Sequence, residues 1–114
     1  MVDILEQEKI NRLANEIGQE NVPVLLEIFL GELRNYIANL STKESQSQDA
    51  YLQEISHALK SSAASFGAEA LRSFSVELDS RAKTGEPLSS DQDKQQMLSL
   101  LQQTEQRYQQ LVGK

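Results

Sequence analysis

Residues 56–68 read SHALKSSAASFGA. Alanine and serine fill most of the stretch, and Leu59 and Phe66 stand seven positions apart, on one face of a helix. Gly67 marks the stop, as glycine does just past a helix end. Upstream, Leu52 and Ile55 prolong the same face. The stretch is therefore the second half of a helix from about Gln48 to Phe66, with Leu52, Ile55, Leu59, Ser62, Ala63 and Phe66 turned inward. His57 is the only histidine of the chain. At roughly 100° per residue it lies about 165° from the centre of that stripe and points at solvent. Around it on the outer face are Ala50, Gln53, Lys60, Ser61 and Ala64. Most of these are small, so they leave a clearing through which a large partner reaches the imidazole, with one positive charge beside it.

Helical periodicity runs through the rest of the chain. Leu, Ala, Glu and Gln outweigh Val, Ile and Thr, which favours helix over strand. A first helix is expected from about Asp3 to Ile17, with Ile10, Leu13, Ala14 and Ile17 on one face and Gly18 as its end. A second follows Asn21 as N-cap, with Pro23 in its first turn. Its stripe is Val22, Leu25, Phe29, Leu33, Tyr36 and Leu40, widened by Leu26 and Ile37, and it ends between Ser41 and Glu44. Ser45 to Gln48 reads as a turn. A fourth helix runs from about Ala68 to Lys83 with Leu71, Phe74, Leu78 and Ala82 inward, until Gly85 and Pro87 break it. The last begins near Ser89 or Ser90 and turns Met97, Leu101, Thr104, Tyr108 and Leu111 inward. Short links make neighbouring helices antiparallel. The expectation is an all-α protein: an up-down antiparallel four-helix bundle, with an additional short N-terminal helix packing across it. Val24 and Ile28 lie off the stripe of the second helix, and the first helix is expected to cover them.

Composition narrows the function classes. The 114 residues suffice for one domain, taken as 1–114. With no cysteine there is no disulfide framework, thiolate metal site or thiol nucleophile. No apolar run approaches membrane-spanning length, and the N-terminus lacks a secretory signal. We expect a cytoplasmic, monomeric protein with no membrane partner. A net charge of −6 argues against a nucleic-acid partner, and the few aromatic residues fall at core-like spacings.

A lone exposed imidazole has few uses. Zinc would need further His or Cys ligands, and no Asp-rich loop has calcium-binding spacing, so no metal is expected. A Ser-His-Asp triad needs an oriented histidine beside a nucleophile, whereas His57 points outward. What remains is the ring itself as nucleophile. An ordinary imidazole titrates near pH 6.5, so much of it is neutral in a cell, and a neutral ring nitrogen attacks phosphorus to give a phosphoramidate. Lys60, one turn on, is placed to stabilise the phosphoryl charge, and Ser61 to donate a hydrogen bond.

His57-x-x-Lys60, the small residues after it and then Gly67 resemble the signature of histidine-containing phosphotransfer (HPt) domains. Downstream, Leu71, Ser75, Leu78 and Asp79 are similar to that family's Leu, small, Leu, acidic spacing. Ser61 stands where the family usually has glycine. The stretches NVPVLLEIFLGE and EISHALKSSAASFGA look like a stand-alone relay protein of bacterial quorum sensing. The resemblance implies His57 as phosphoacceptor, Lys60 as its charge partner, Ser61 and Ala64 as small lining beside Gln53, and Gly67 as the helix end. It implies a relay role: a phosphoryl group comes from an aspartate on the receiver domain of a hybrid sensor kinase and goes to an aspartate on the receiver domain of a response regulator. Such a protein is a stoichiometric intermediate, not an enzyme, and needs no cofactor; Mg2+ belongs to the partner's acidic pocket. The absence of a Gly-rich phosphate loop and of a kinase catalytic loop agrees with this. Two rival readings are a non-catalytic helical adaptor, to which Val24 and Ile28 lend some weight, and a phosphatase acting on a partner's aspartyl phosphate.

Overall fold

The computed structural model describes residues 4–42, 49–85 and 90–112. Among these residues there are five α-helices and no strand: α1 (Gln7–Ile17), α2 (Val22–Thr42), α3 (Asp49–Phe66), α4 (Glu69–Lys83) and α5 (Ser90–Val112), with a 3-10 turn at Gln19–Asn21. No helix is long and apolar enough to cross a membrane, among the described residues. The expected turn at Ser45 to Gln48 and the breaker Pro87 lie outside them.

The core is made by stripes that mostly follow the expected periods. Phe29, Leu30 and Leu33 from α2, Leu52, Ile55, Leu59 and Ala63 from α3, Leu71 and Leu78 from α4, and Met97, Leu101 and Tyr108 from α5 are buried. Leu30 and the buried Ser56 lie outside the expected stripes, so the inner faces of α2 and α3 are wider than the periodicity implied. Each helix here meets more than one neighbour: α3 packs chiefly on α4, α2 chiefly on α5, and α4 also touches α5. Polar pairs mark the seams. Ser62 donates to Glu32 and Asn39 to Tyr51 between α2 and α3, Arg34 binds Glu105 and Gln109 between α2 and α5, and Arg81 binds Asp93 between α4 and α5. Tyr36 donates to Glu32 at 2.7 Å, and burial with that neighbouring carboxylate raises its pKa.

Three expectations are corrected. The first helix starts at Gln7, not near Asp3. Glu6 is extended, and its N–H donates to the carbonyl of Gly67 at 2.7 Å, which holds the chain out of helical geometry there. Asn21 does not cap α2: its side-chain amide donates to the carbonyl of Ile17 at 2.6 Å and so closes the end of α1. Val24 and Ile28 are not covered by α1, being 59% and 64% exposed. Helix α1 instead lies against α3, the 3-10 turn and part of α2, because the Glu6–Gly67 bond anchors its start at the end of α3.

Candidate functional site

Helix α3 delivers His57 to the surface as its azimuth requires, and the side chain is 68% exposed. The residue beneath the ring comes from α4. Asp79 is buried, and its Oδ1 lies 3.5 Å from Nδ1 of His57, at the outer limit of a hydrogen bond. Its other oxygen, Oδ2, takes two ammonium groups: Lys60 Nζ at 2.7 Å and Lys83 Nζ at 2.9 Å. The hydrogen bonds from Lys60 and Lys83 hold the Asp79 carboxyl well below the usual carboxylate range, down to about 2, against the opposing effect of burial. The same contact raises the pKa of Lys83. Asp79 is thus an anion at any cellular pH, enclosed by protein on one side and three cation-forming groups on the other.

Burial of Asp79 follows from α4's own sequence. Leu71, Ser75, Leu78 and Asp79 are the buried residues of that helix and occupy one face. Ser75 on α4 and Ser56 on α3 are both fully buried, and side chains of that size suit the close packing of the two helices.

Lys60 is therefore not a free cation on the solvent side, as the periodicity of α3 alone implied. Its side chain is 30% exposed and lies along the α3–α4 seam to reach Asp79. Gln53 and Ser61 are exposed on α3. Ala64 is half-buried rather than open: it lines a cleft of about 230 Å3 with Lys9, Arg12, Leu13, Glu16 and Ser65, where α1 approaches α3. Gly67 is remote from the ring and buried, with φ +76°. Its N–H reaches Ala64 O, and that of Ala68 reaches Ala63 O, the paired bonds of a Schellman helix end. The structure thus gathers His57 and Lys60 around Asp79, keeps Gln53 and Ser61 nearby on the same helix, and gives Ala64 and Gly67 to the α1 contact. From the sequence, Asp79 entered only as the acidic position of the family's spacing, with no place at the site, and Lys83 only as the end of its helix. The available signal was an acidic residue in register with Leu71 and Ser75 on the inward face of α4, with a lysine four positions on. Among the described residues no cluster of His, Asp and Glu is arranged to hold a metal ion.

The depressed pKa of Asp79 has a signed consequence. A carboxyl whose folded pKa lies below its ordinary value of 3.8 stabilises the fold fully above that value. The contribution is lost as pH falls from there through about 2. We expect the thermal midpoint of the protein to decline over that acid window, and the decline to be shallower in Asp79→Asn. Equal acid limbs in a pH series of melts would place the acid sensitivity elsewhere.

The Hpt domain family profile matches residues 24–111. The chain is 54% identical over 112 residues to the "Phosphorelay protein LuxU" of Vibrio cholerae serotype O1, covering 98% of this chain and 99% of that one. It is 53% identical to the protein of the same name from Vibrio vulnificus strain YJ016, over 94% and 93% of the two chains. With that of Vibrio harveyi the identity is 48%, over 93% of each. No solved structure shows a significant match to the chain.

Proposed function

The chain belongs to the Hpt domain family, and from that premise we propose that it is a phosphorelay intermediate whose phosphoryl group is carried by His57. The observation that supports the residue is the pairing of an exposed imidazole with a buried carboxylate that also binds Lys60. With Nδ1 turned to Asp79, the ring proton belongs on Nδ1 and the lone pair of Nε2 faces outward. Nε2 attacks the phosphorus of a receiver's aspartyl phosphate. The N–P bond forms, the P–O bond to the aspartate breaks, and the aspartate leaves as a carboxylate. The imidazole becomes cationic in this step, and Asp79 stabilises that charge through Nδ1–H. Lys60 offsets the charge of the phosphoryl oxygens. Onward transfer to a second receiver reverses the same bonds.

On this reading the protein is one domain, an up-down four-helix bundle with α1 lying across it. It is cytoplasmic and monomeric, and exchanges phosphoryl groups with the receiver domains of hybrid sensor kinases and of a response regulator in quorum-sensing signalling. It has no kinase activity and no cofactor of its own. The decisive experiment is transfer of label from a phosphorylated receiver to the purified protein. The product should be labile in acid and stable in base, as a phosphoramidate is. Label that is labile in base would indicate an acyl phosphate or a phosphoester and would end the proposal.

The exposed Val24 and Ile28 also suit a non-covalent adaptor, which would bind a receiver without taking label. We read them instead as part of the receiver's docking surface. Gly31 adjoins them on the outer face of α2, and a Cβ there would meet nothing within 4 Å, so a partner's backbone can approach closely. Ile28→Glu should cut receiver-dependent transfer about tenfold, the loss expected for charging an apolar anchor. Labelling by the small donor phosphoramidate should stay at the wild-type rate. Unchanged transfer from the receiver would move the docking surface off α2.

A further inference from the structure

Two lysines share one oxygen of Asp79, although one ammonium suffices to neutralise it. The three charges sum to one surplus positive charge at the base of the imidazole. The two lysines reach that oxygen by different routes. Lys83 stands four positions after Asp79 on α4, so its contact is local to that helix and needs nothing from α3; its side chain is 58% exposed. Lys60 comes across from α3, one turn beyond His57, and is the half-enclosed member of the pair.

We infer that Lys83 is a reserve counter-ion, which keeps Asp79 paired when Lys60 turns to a phosphoryl group on His57. The inference rests on His57 being the phosphoacceptor. Nε2 and Nδ1 lie on opposite sides of the ring, so an ammonium that follows a phosphoryl group on Nε2 moves away from Oδ2. With Lys60 as its only lysine, Asp79 would then keep only the imidazolium, 3.5 Å from Oδ1, and its buried Oδ2 would face no cation, an unfavourable state. That cost would hold Lys60 back. Lys83 removes the cost, because the anion it faces is already within 2.9 Å. Lys60 is thereby released for use in the transfer at little cost to the fold. Lys83 is a positioning residue on this account: it acts on the phosphoryl group through Asp79 and Lys60.

The full-length protein provides two measurements. The first needs no phosphorylation. Thermal melts of Lys60→Met, Lys83→Gln and the double variant should show each single change to be nearly neutral, because the other lysine remains on Asp79. The double variant should lose clearly more than the sum. Simple additivity would mean that the lysines do not substitute for each other, and would overturn the inference. The second follows labelling by phosphoramidate, in which the donor's P–N bond breaks, the bond to His57 forms and ammonia leaves. Lys83→Gln should take label about tenfold more slowly, the effect of removing one charge-assisted contact, while Lys83→Arg should stay close to wild type. Wild-type labelling of Lys83→Gln would overturn the inference and leave the role of His57 intact. Failure of the wild type itself to take label would instead remove the reading of His57 on which the inference depends.

Discussion

His57→Gln is expected to accept no phosphoryl group from a receiver or from phosphoramidate, with a helical circular dichroism that matches that of the wild type. The loss should be complete because His57 is the only histidine, so no second imidazole can take over. Glutamine keeps a polar side chain of similar reach, but its amide nitrogen has no available lone pair and cannot form the N–P bond. The fold should not notice the change. The imidazole is 68% exposed, so its removal opens no cavity, and exposed positions of this kind usually alter stability by about half a kcal/mol or less. Asp79 keeps both lysines in the variant, so no buried charge is stranded. Label retained by His57→Gln would assign the acceptor to another residue and undo the mechanism.

Gly67→Ala is the substitution expected to cost the most stability. Two penalties combine. The backbone at Gly67 has φ +76°, a left-handed conformation that costs an L-residue roughly 1–2 kcal/mol. A Cβ built there would also lie 2.7 Å from Cβ of Lys9 and 2.8 Å from the carbonyl oxygen of Glu6. Neither neighbour is the free end of a flexible side chain, so the start of α1 must shift, at a further cost of about 1–3 kcal/mol. A loss near 3 kcal/mol lowers the thermal midpoint of a domain of this size by roughly 10 °C. The strain falls where Glu6 N–H binds Gly67 O, so α1 is the element that should come loose. Hydrogen exchange should therefore quicken first in residues 7–17. A midpoint unchanged within a degree or two would show that the α1–α3 junction yields without cost. His57 lies on α3 well away from this junction, so phosphoramidate labelling of Gly67→Ala should persist below its melting point.

Local chemistry explains what was legible in the chain. Helix periods, the stop at Gly67 and the outward direction of His57 depend on neighbours three and four positions away, and these are written in order along the sequence. The expected inner stripes of α3 and α5 were largely right for that reason, as Leu52, Ile55, Leu59 and Ala63, and Met97, Leu101, Thr104 and Tyr108, are all buried. The N-cap reading of Asn21 went wrong because one residue type serves both ends of a helix, and the packing of Ile17 and the 3-10 turn selects which end it closes.

Sequence by itself determined that this chain is helical, that it offers a single exposed imidazole with a lysine one turn on, and that its residues match one family's motif. Tertiary structure alone decided what that lysine does. The capture of Lys60 by Asp79 joins α3 to α4, and it depends on how closely and at what azimuth the two helices pack, which no local period encodes. It likewise decided that Val24 and Ile28 stay bare. The start of α1 is tied to the end of α3 by a backbone hydrogen bond between Glu6 and Gly67, beside the packing of Ile10, and backbone groups, being common to all residues, leave no trace in side-chain patterns.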